Sequence, residues 1–332
     1  MIEAQILSLL YNHLNQPLSG QIIADQLGIS RNAVWKTIEH LRLLGYKIST
    51  HHKKGYQLDD AIGTLHDSQL QALLHHQIPN IKINILDEAT STNDLAKQAI
   101  SQNRTTQLFI TQKQTQGRGR LGKHFYSDLD HGLYFSLAFK PNPKHQEFIP
   151  LYTLATAAAL VQTLETYVNE AIGIKWVNDL FYQGKKIAGI LSEASTNLEN
   201  GEVAYIIIGV GINLAGNFQT AQADVQNVAG TLFGEQLPKD FNYNQFLADS
   251  LIRLYHYHLQ LDQKTFLPFY NQRLLGRNQR VSFQEADQSM STAIIRSIND
   301  SGHLIVEQNG KERALISQQI SLSSHQFTQK RM

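Results

Sequence analysis

Three observations predict an α+β chain of three parts. Residues 1–58 carry short amphipathic helices closed by a hairpin, about 65–270 alternate strand-like and helix-like segments, and short alternating runs follow from Arg280. In the first part Ile6, Leu9, Leu10 and Leu14 mark one helix face, which Asn15 and Pro17 close. Next, Ser19 can cap a helix carrying Ile22, Ile23 and Leu27, with Gly28 as a tight turn. Ser30 can cap a second helix whose inner face is Val34, Ile38, Leu41 and Leu44, ended by Gly45. Two helices across a glycine turn, then KISTHHKKGYQL as a hairpin, predict a winged helix-turn-helix. Its groove-facing residues are Ser30, Arg31, Asn32, Trp35 and Lys36, with Lys53 and Lys54 at the wing tip; Trp35 could instead be partly core. DDAIGT, 59–64, reads as a linker, which sets expected divisions at 1–64, 65–275 and 276–332.

In the middle part, strands are expected at Ile81–Leu86, Leu108–Gln112, Leu133–Phe139, Ile187–Ser192 and Val203–Val210. Helices are expected at Asn93–Ile100, Leu151–Val168 and Asn244–Leu259. Turns such as Gln183-Gly184 and Asn200-Gly201 favour a mixed sheet with helices over a regular βαβ repeat. RVSF, STAIIRSI, HLIVEQ and RALIS, separated by turn residues, suggest a small C-terminal β-barrel.

Composition narrows the function. The chain has no cysteine, which excludes thiolate nucleophiles, disulfides and cysteine-bound zinc and suits a reducing cytoplasm. No basic region precedes the first apolar run, and Leu151 to Val168 is too polar to cross a bilayer, so a cytoplasmic protein without membrane contact is expected. The fourteen histidines form no metal spacing. The net charge of +1 hides a division: Arg31 to Leu58 carries +5, and the remainder −4. A basic island in an acidic chain points to a local polyanion, which for a helix-turn-helix is DNA.

Gln112 to Phe125, QKQTQGRGRLGKHF, satisfies G-x-G-x-x-G and nearly a P-loop, and neither fits. A dinucleotide fingerprint and a P-loop each open a helix, whereas here the chain continues as a turn and a strand; histidine also stands where a P-loop needs Ser or Thr. A kinase glycine loop lies between strands, but HRD and DFG are missing. Arg118 and Arg120 between Gly117, Gly119 and Gly122 make an anion clamp. Without anionic partners the cations repel, so the clamp is expected to be mobile until phosphate or carboxylate arrives. Further along, Lys175-Trp176-Val177-Asn178-Asp179 precedes a strand, and Lys186 follows in GKKIAGIL. Upstream, Ser91-Thr92-Asn93 sits at a strand-to-helix junction, where Ser91 either caps the helix or meets a polar ligand.

Together STN at 91–93, GRGRLG at 117–122, KWVND at 175–179, KIAGIL from Lys186 and GVGIN at 209–213 resemble the bifunctional biotin protein ligase and biotin operon repressor family. The resemblance covers essentially the whole chain. It implies a winged helix, a class II synthetase-like catalytic domain with a seven-stranded mixed sheet, and an SH3-like C-terminal barrel. It also implies that biotin and ATP–Mg²⁺ give biotinyl-5′-adenylate, whose biotinyl group passes to one lysine of a biotin carboxyl-carrier protein. The adenylate would serve as corepressor on operator DNA, through a ligand-promoted homodimer.

Carried over residue by residue, Ser91, Thr92, Asn93 and Gln114 would line the biotin site, Arg118, Gly119 and Arg120 would close over the biotin tail and adenylate phosphate, and Lys186 would hold the carboxylate or the adenylate's acyl and phosphate oxygens. Gly117, Arg118, Arg120, Asn178 and Asn213 would hold the adenylate. Lys186, Arg118 and Asp179 would be catalytic, Asp179 through magnesium or by deprotonating the acceptor lysine. The chain departs from the family at Val177, where proline is usual, and at Leu121, where a basic residue is common. It also has no tryptophan in 224–232 to stack on adenine. Two alternatives remain: a regulator whose inactive ligase domain only senses its ligand, and a lipoate ligase. The intact Arg118, Arg120, Asp179 and Lys186 oppose the first; the GRGR loop behind a winged helix opposes the second.

Overall fold

Serine caps and apolar spacing coincide at two of the N-terminal helices. The computed structural model describes residues 2–13, 16–43, 46–59, 65–102, 105–197, 201–239, 241–317 and 320–328. Contacts divide the chain into two units, Met1–Ile85 with Pro238–Ile252, and Leu86–Leu237 with Arg253–Met332.

In the first unit α1 (Ile2–Asn12) buries Ile6, Leu7 and Leu10 on one helical face. α2 (Gly20–Leu27) starts under Ser19, whose hydroxyl accepts the Ile22 amide at 3.1 Å, and stops at Gly28 with φ 65°. α3 (Arg31–Leu43) is capped by Ser30, which accepts from Ala33 N at 3.1 Å, and buries Val34, Ile38 and Leu41. Leu14, Asn15, Leu44 and Gly45, expected at helix faces and ends, lie outside the described residues, as do 60–64 of the expected linker.

β1 (Ile48–His51) and β2 (Gly55–Leu58) form the antiparallel wing. Arg42 ties α3 to it, donating to Ile48 O at 2.8 Å and Thr50 Oγ1 at 2.7 Å. Leu18 and Tyr56 exchange backbone hydrogen bonds of 2.8 and 2.9 Å. Gly55, at φ 110°, must be glycine here, because a Cβ would run into the Leu18 backbone. Ser30, Arg31, Asn32, Trp35 and Lys36 are exposed on α3 and its cap, and Lys53 and Lys54 are exposed at the wing turn. Trp35 is 50% exposed, so it is no core residue. The unit also holds α4 (Asp67–Leu74), which the sequence reading lacks; it packs on α1, and His66 N donates to Asn244 Oδ1 at 2.8 Å. Its two buried leucines, Leu70 and Leu74, give too short a pattern to stand out by period alone.

β3 (Lys82–Leu86) runs to the end of the first unit's main segment, and the sheet of the second unit comprises β4 (Gln107–Thr111), β5 (His131–Phe139), β6 (Gly173–Lys175), β7 (Asp179–Tyr182), β8 (Lys185–Thr196) and β9 (Val203–Ala215). Within that unit the strands lie in the order β4-β5-β9-β8-β7-β6. From β4 to β6 all neighbours are antiparallel, and a parallel bridge between Ala89 and Gln114 makes the arrangement mixed. Gln183 (φ 48°) and Gly184 (φ 75°) make the expected two-residue turn between β7 and β8. β8 outruns its expected end because its polar tail, Glu193–Thr196, pairs with the start of β9, and β9 runs on past Val210 because Gly211 to Ala215 pair with the start of β5.

Helices α5 (Thr92–Gln102), α6 (Ile149–Leu164), α7 (Ala223–Val228), α8 (Tyr243–Leu259) and α9 (Leu267–Arg273) complete the α/β part. α6 stops at Leu164, not Val168: Thr166 Oγ1 donates to Thr163 O at 2.7 Å, and Tyr167 N turns back to Leu164 O. Expected as a barrel, the C-terminal part is a five-stranded antiparallel sheet. It contains β10 (Arg280–Gln284), β11 (Met290–Ile298), β12 (Leu304–Gln308), β13 (Lys311–Leu315) and β14 (Ser321–Leu322), in the order β13-β12-β11-β10-β14.

His258, on the last turn of α8, packs against Tyr152 and Phe139 with ring centroids 4.8 and 5.5 Å away, and its Nε2 meets Thr156 Oγ1 at 3.2 Å. Burial, aided by nearby His145, pushes its pKa down to about 3. The folded chain therefore keeps it neutral while the unfolded chain protonates it below its ordinary 6.5. Its contribution is complete above that pH and is lost as pH falls toward 3. Between pH 7 and 4.5 wild type should lose about 2–3 kcal/mol more stability than His258→Gln, by urea titration at both pH values. Equal losses would remove His258 as the source.

Candidate active site

The turn between β6 and β7 and the start of β8 bring three charged side chains together. Lys175 and Asp179 face each other in the β6–β7 register, and Gly189 of β8 pairs with Asp179 on its other side. Asp179 is 7% exposed, and each of its oxygens takes one lysine: Lys186 Nζ at 2.6 Å and Lys175 Nζ at 3.1 Å. Burial pushes the Asp179 carboxyl up, but Lys186 and Lys175 outweigh it and hold the pKa below its ordinary value. Burial lowers the Lys175 ammonium despite Asp179 beside it. The turn is held from three sides: Asn178 Nδ2 donates to Ile190 O at 2.8 Å, Tyr270 OH to Val177 O at 3.1 Å, and Trp176 Nε1 to Gly302 O at 3.0 Å. The Trp176–Val177 peptide is cis.

A cavity of about 200 Å³ opens over this set. Ser91, Thr92, Asn93, Gln114, Arg118, Gly119, Arg120, Asn178, Asp179 and Lys186 all border it. Ser91 precedes α5, and its carbonyl accepts from Leu95 N at 3.2 Å. Thr92 and Asn93 are buried in a polar network: Thr92 N donates to Gln114 Oε1 at 2.8 Å, Ser136 Oγ to Asn93 Oδ1 at 2.6 Å, and Asn93 Nδ2 to Glu193 Oε2 at 2.7 Å. The glycines of GVGIN make room for it. A Cβ on Gly209 would overlap the Asn93 amide, and one on Gly211 would lie 2.6 Å from the Phe125 ring.

The glycine loop folds as a tight turn, with Gly119 N donating to Lys123 O at 2.7 Å and Phe125 N to Gly117 O at 2.9 Å. Only a three-residue 3-10 turn, Arg120–Gly122, intervenes before β5, as the rejection of nucleotide-loop motifs requires. The expectation that the loop arginines lack anionic partners is corrected at Arg118, which meets Asp94 Oδ1 at 2.5 Å and Glu193 Oε2 at 3.3 Å. Those carboxylates lie 24 and 75 residues away in sequence, so no local spacing signals them. Arg120 is held by neutral acceptors, Asn178 Oδ1 at 3.4 Å and Ser317 O at 3.0 Å, and burial lowers its pKa. The side chain of Leu121 lies outside the described residues.

A second cavity, of about 740 Å³, adjoins the first and holds Asn213, Tyr126, Phe218, Val225 and Met290 in its wall. Asn213 Nδ2 donates to Gly230 O at 3.1 Å, while its buried Oδ1 has no partner among the described residues. Lys123, His124, Phe125, Lys175, Asp179 and Lys186 border both cavities. Gly117 borders neither and lies beneath the loop, close to Ser127 and Phe125. Phe125, whose ring centroid is 5.7 Å from Lys186 Nζ, was missed by the sequence reading, as were Lys123, Ser136 and Glu193. Phe125 ends the motif segment, and an aromatic closing a glycine loop was the available signal.

Residues 85–213 match the biotin/lipoate A/B protein ligase family, and residues 3–57 match an HTH domain. The chain is similar to the bifunctional ligase/repressor BirA of Bacillus subtilis (strain 168), at 34% identity over 229 residues, covering 68% of this chain and 70% of that one. It is similar to the protein of the same name in Escherichia coli (strain K12), at 29% identity over 310 residues, covering 92% and 93%. Among solved structures, the biotin protein ligase from Aquifex aeolicus in complex with biotin and ATP superposes with a TM-score of 0.59 at 25% identity, covering 73% of this chain and 98% of that one. The chain belongs to the biotin/lipoate protein ligase family, among its bifunctional ligase/repressors.

Proposed function

We propose that this ATP-dependent biotin protein ligase and repressor activates biotin at the seam between its two cavities. The observation that carries the reading is Lys186, a cation bordering both cavities and resting on an exchangeable carboxylate partner. Biotin lies in the smaller cavity, its ring system against Ser91, Thr92, Asn93 and Gln114, and ATP lies in the larger one, its base toward Asn213. A biotin carboxylate oxygen attacks the α-phosphorus, the P–O bond to pyrophosphate breaks, and negative charge gathers between the cavities. Lys186 and Arg118, once they leave their carboxylate partners, and Arg120 stabilise it as charged donors. An acceptor lysine of a biotin carboxyl-carrier protein, once deprotonated, then attacks the acyl carbon and AMP departs. No side-chain nucleophile is required.

Asp179 offers magnesium no open oxygen, since both are engaged by lysines, so the ion would be carried chiefly by the ATP phosphates. Labelled biotin incorporated into a carrier domain tests the ligase; binding without transfer would leave only a ligand sensor, and transfer of lipoate in preference to biotin would reassign the substrate.

The exposed face with Arg31, Asn32, Trp35 and Lys36 enters a major groove of operator DNA, while Lys53 and Lys54 meet phosphates. One winged helix reaches one half-site, so repression uses a homodimer that the adenylate promotes. Footprinting with and without biotin and ATP tests that link; identical affinities would break it.

Arg118 must leave Asp94 to close on a ligand anion. Both side chains are about half exposed, and such a pair contributes about 0.5–1 kcal/mol. Asp94→Asn should therefore bind biotinyl-adenylate about two- to fivefold more tightly by calorimetry. An unchanged or weaker affinity would mean that the pair does not compete with ligand.

A further inference from the structure

Asp179 serves two lysines that are not equivalent. Lys175 is 8% exposed and has a second partner, Ser324 Oγ at 3.0 Å, contributed by the segment after β14. The Lys186 side chain is 25% exposed, sits over the Phe125 ring and opens on both cavities. If Asp179 had Lys186 alone, moving that lysine onto a substrate anion would strand a buried carboxylate without a partner. With Lys175 in place the remaining pair is neutral, and the set carries one positive charge to spare. The tether on Lys175 also stops it from following the same anion.

We propose that Lys175, tethered by Ser324, is the fixed counter-ion of Asp179, and that this is what releases Lys186 to the carboxylate of biotin. Lys175 is thus a positioning residue, and Ser324 makes the C-terminal segment part of the reacting centre. The inference rests on the reading above, in which Lys186 meets that carboxylate.

The test is biotin affinity of the full-length protein by calorimetry, with thermal melts alongside. Lys175→Met should weaken binding about tenfold or more, because Asp179 then retains Lys186. Adding Asp179→Asn to that variant removes the competing charge and should restore affinity to within about threefold of wild type. Lys175→Arg keeps the counter-charge and should stay within the same range. Ser324→Ala should weaken binding about two- to fivefold through the lost tether.

Wild-type affinity in Lys175→Met overturns the inference. So does a double variant as weak as the single one, since Lys175 would then touch the ligand itself. If Lys175→Met does not fold, Ser324→Ala decides, and unchanged affinity there overturns the tether and with it the fixed position of Lys175. Lys186→Ala separates the two levels. Normal biotin binding by that variant topples the underlying reading, whereas weak binding there with normal binding in Lys175→Met topples this inference alone.

Discussion

Lys186→Ala should lower the rate of biotinyl-adenylate formation by about two to three orders of magnitude while the protein still melts cooperatively. The size follows from the role: removing one preorganised donor from a developing oxyanion costs about 3–4 kcal/mol in comparable sites. The fold should survive because Lys186 is partly exposed and Asp179 keeps Lys175, so no buried carboxylate is stranded. Pyrophosphate release with saturating biotin and ATP measures the step directly. The loss should appear in the rate at saturation, because the donor acts most strongly on charge that develops during the reaction. Near-normal release would take Lys186 out of the chemistry.

The motifs that the sequence displayed lie in short segments whose spacing the backbone fixes locally. KWVND is a tight hairpin turn, so Lys175 and Asp179 were bound to meet; Ser91 to Asn93 open a helix, and the glycine loop precedes a strand. Partners brought from elsewhere left no such trace. Arg118 finds Asp94 and Glu193, Lys175 finds Ser324, and Tyr270 finds the Val177 carbonyl, each through pairing of distant segments. The clamp was therefore read with its charges but without its countercharges, and the inferred repulsion between its arginines was overstated. At the level of elements, long periodic segments such as α3 and α8 were readable, whereas β6 and β7, of three and four residues, carry too little pattern to register.

The second large effect is expected at Gly209, which borders the smaller cavity but has no side chain to offer a substrate. A Cβ there would overlap the Asn93 amide, and that amide cannot swing aside. Its Oδ1 accepts from Ser136, its Nδ2 donates to Glu193 and to Leu191 O at 3.4 Å, and the residue is 4% exposed. Gly209 is fixed too, pairing with Ser136 on β5 and Leu191 on β8. Gly209→Ala must therefore break the Asn93 network or bend the sheet, and overpacking of this kind costs about 1–3 kcal/mol of stability. The effect on ligand should be larger, because Asn93 and its neighbour Thr92 border the smaller cavity. A misplacement of about 1 Å in a positioning group costs about a hundredfold in rate. The double variant Gly209→Ala/Asn93→Ala separates the two consequences. Removing the amide relieves the clash, so thermal stability should recover most of the loss while biotin binding stays weak. Recovery of binding together with stability would show that Asn93 only fills space under β9. A single Gly209→Ala variant with wild-type stability and affinity would show that the sheet yields at no cost.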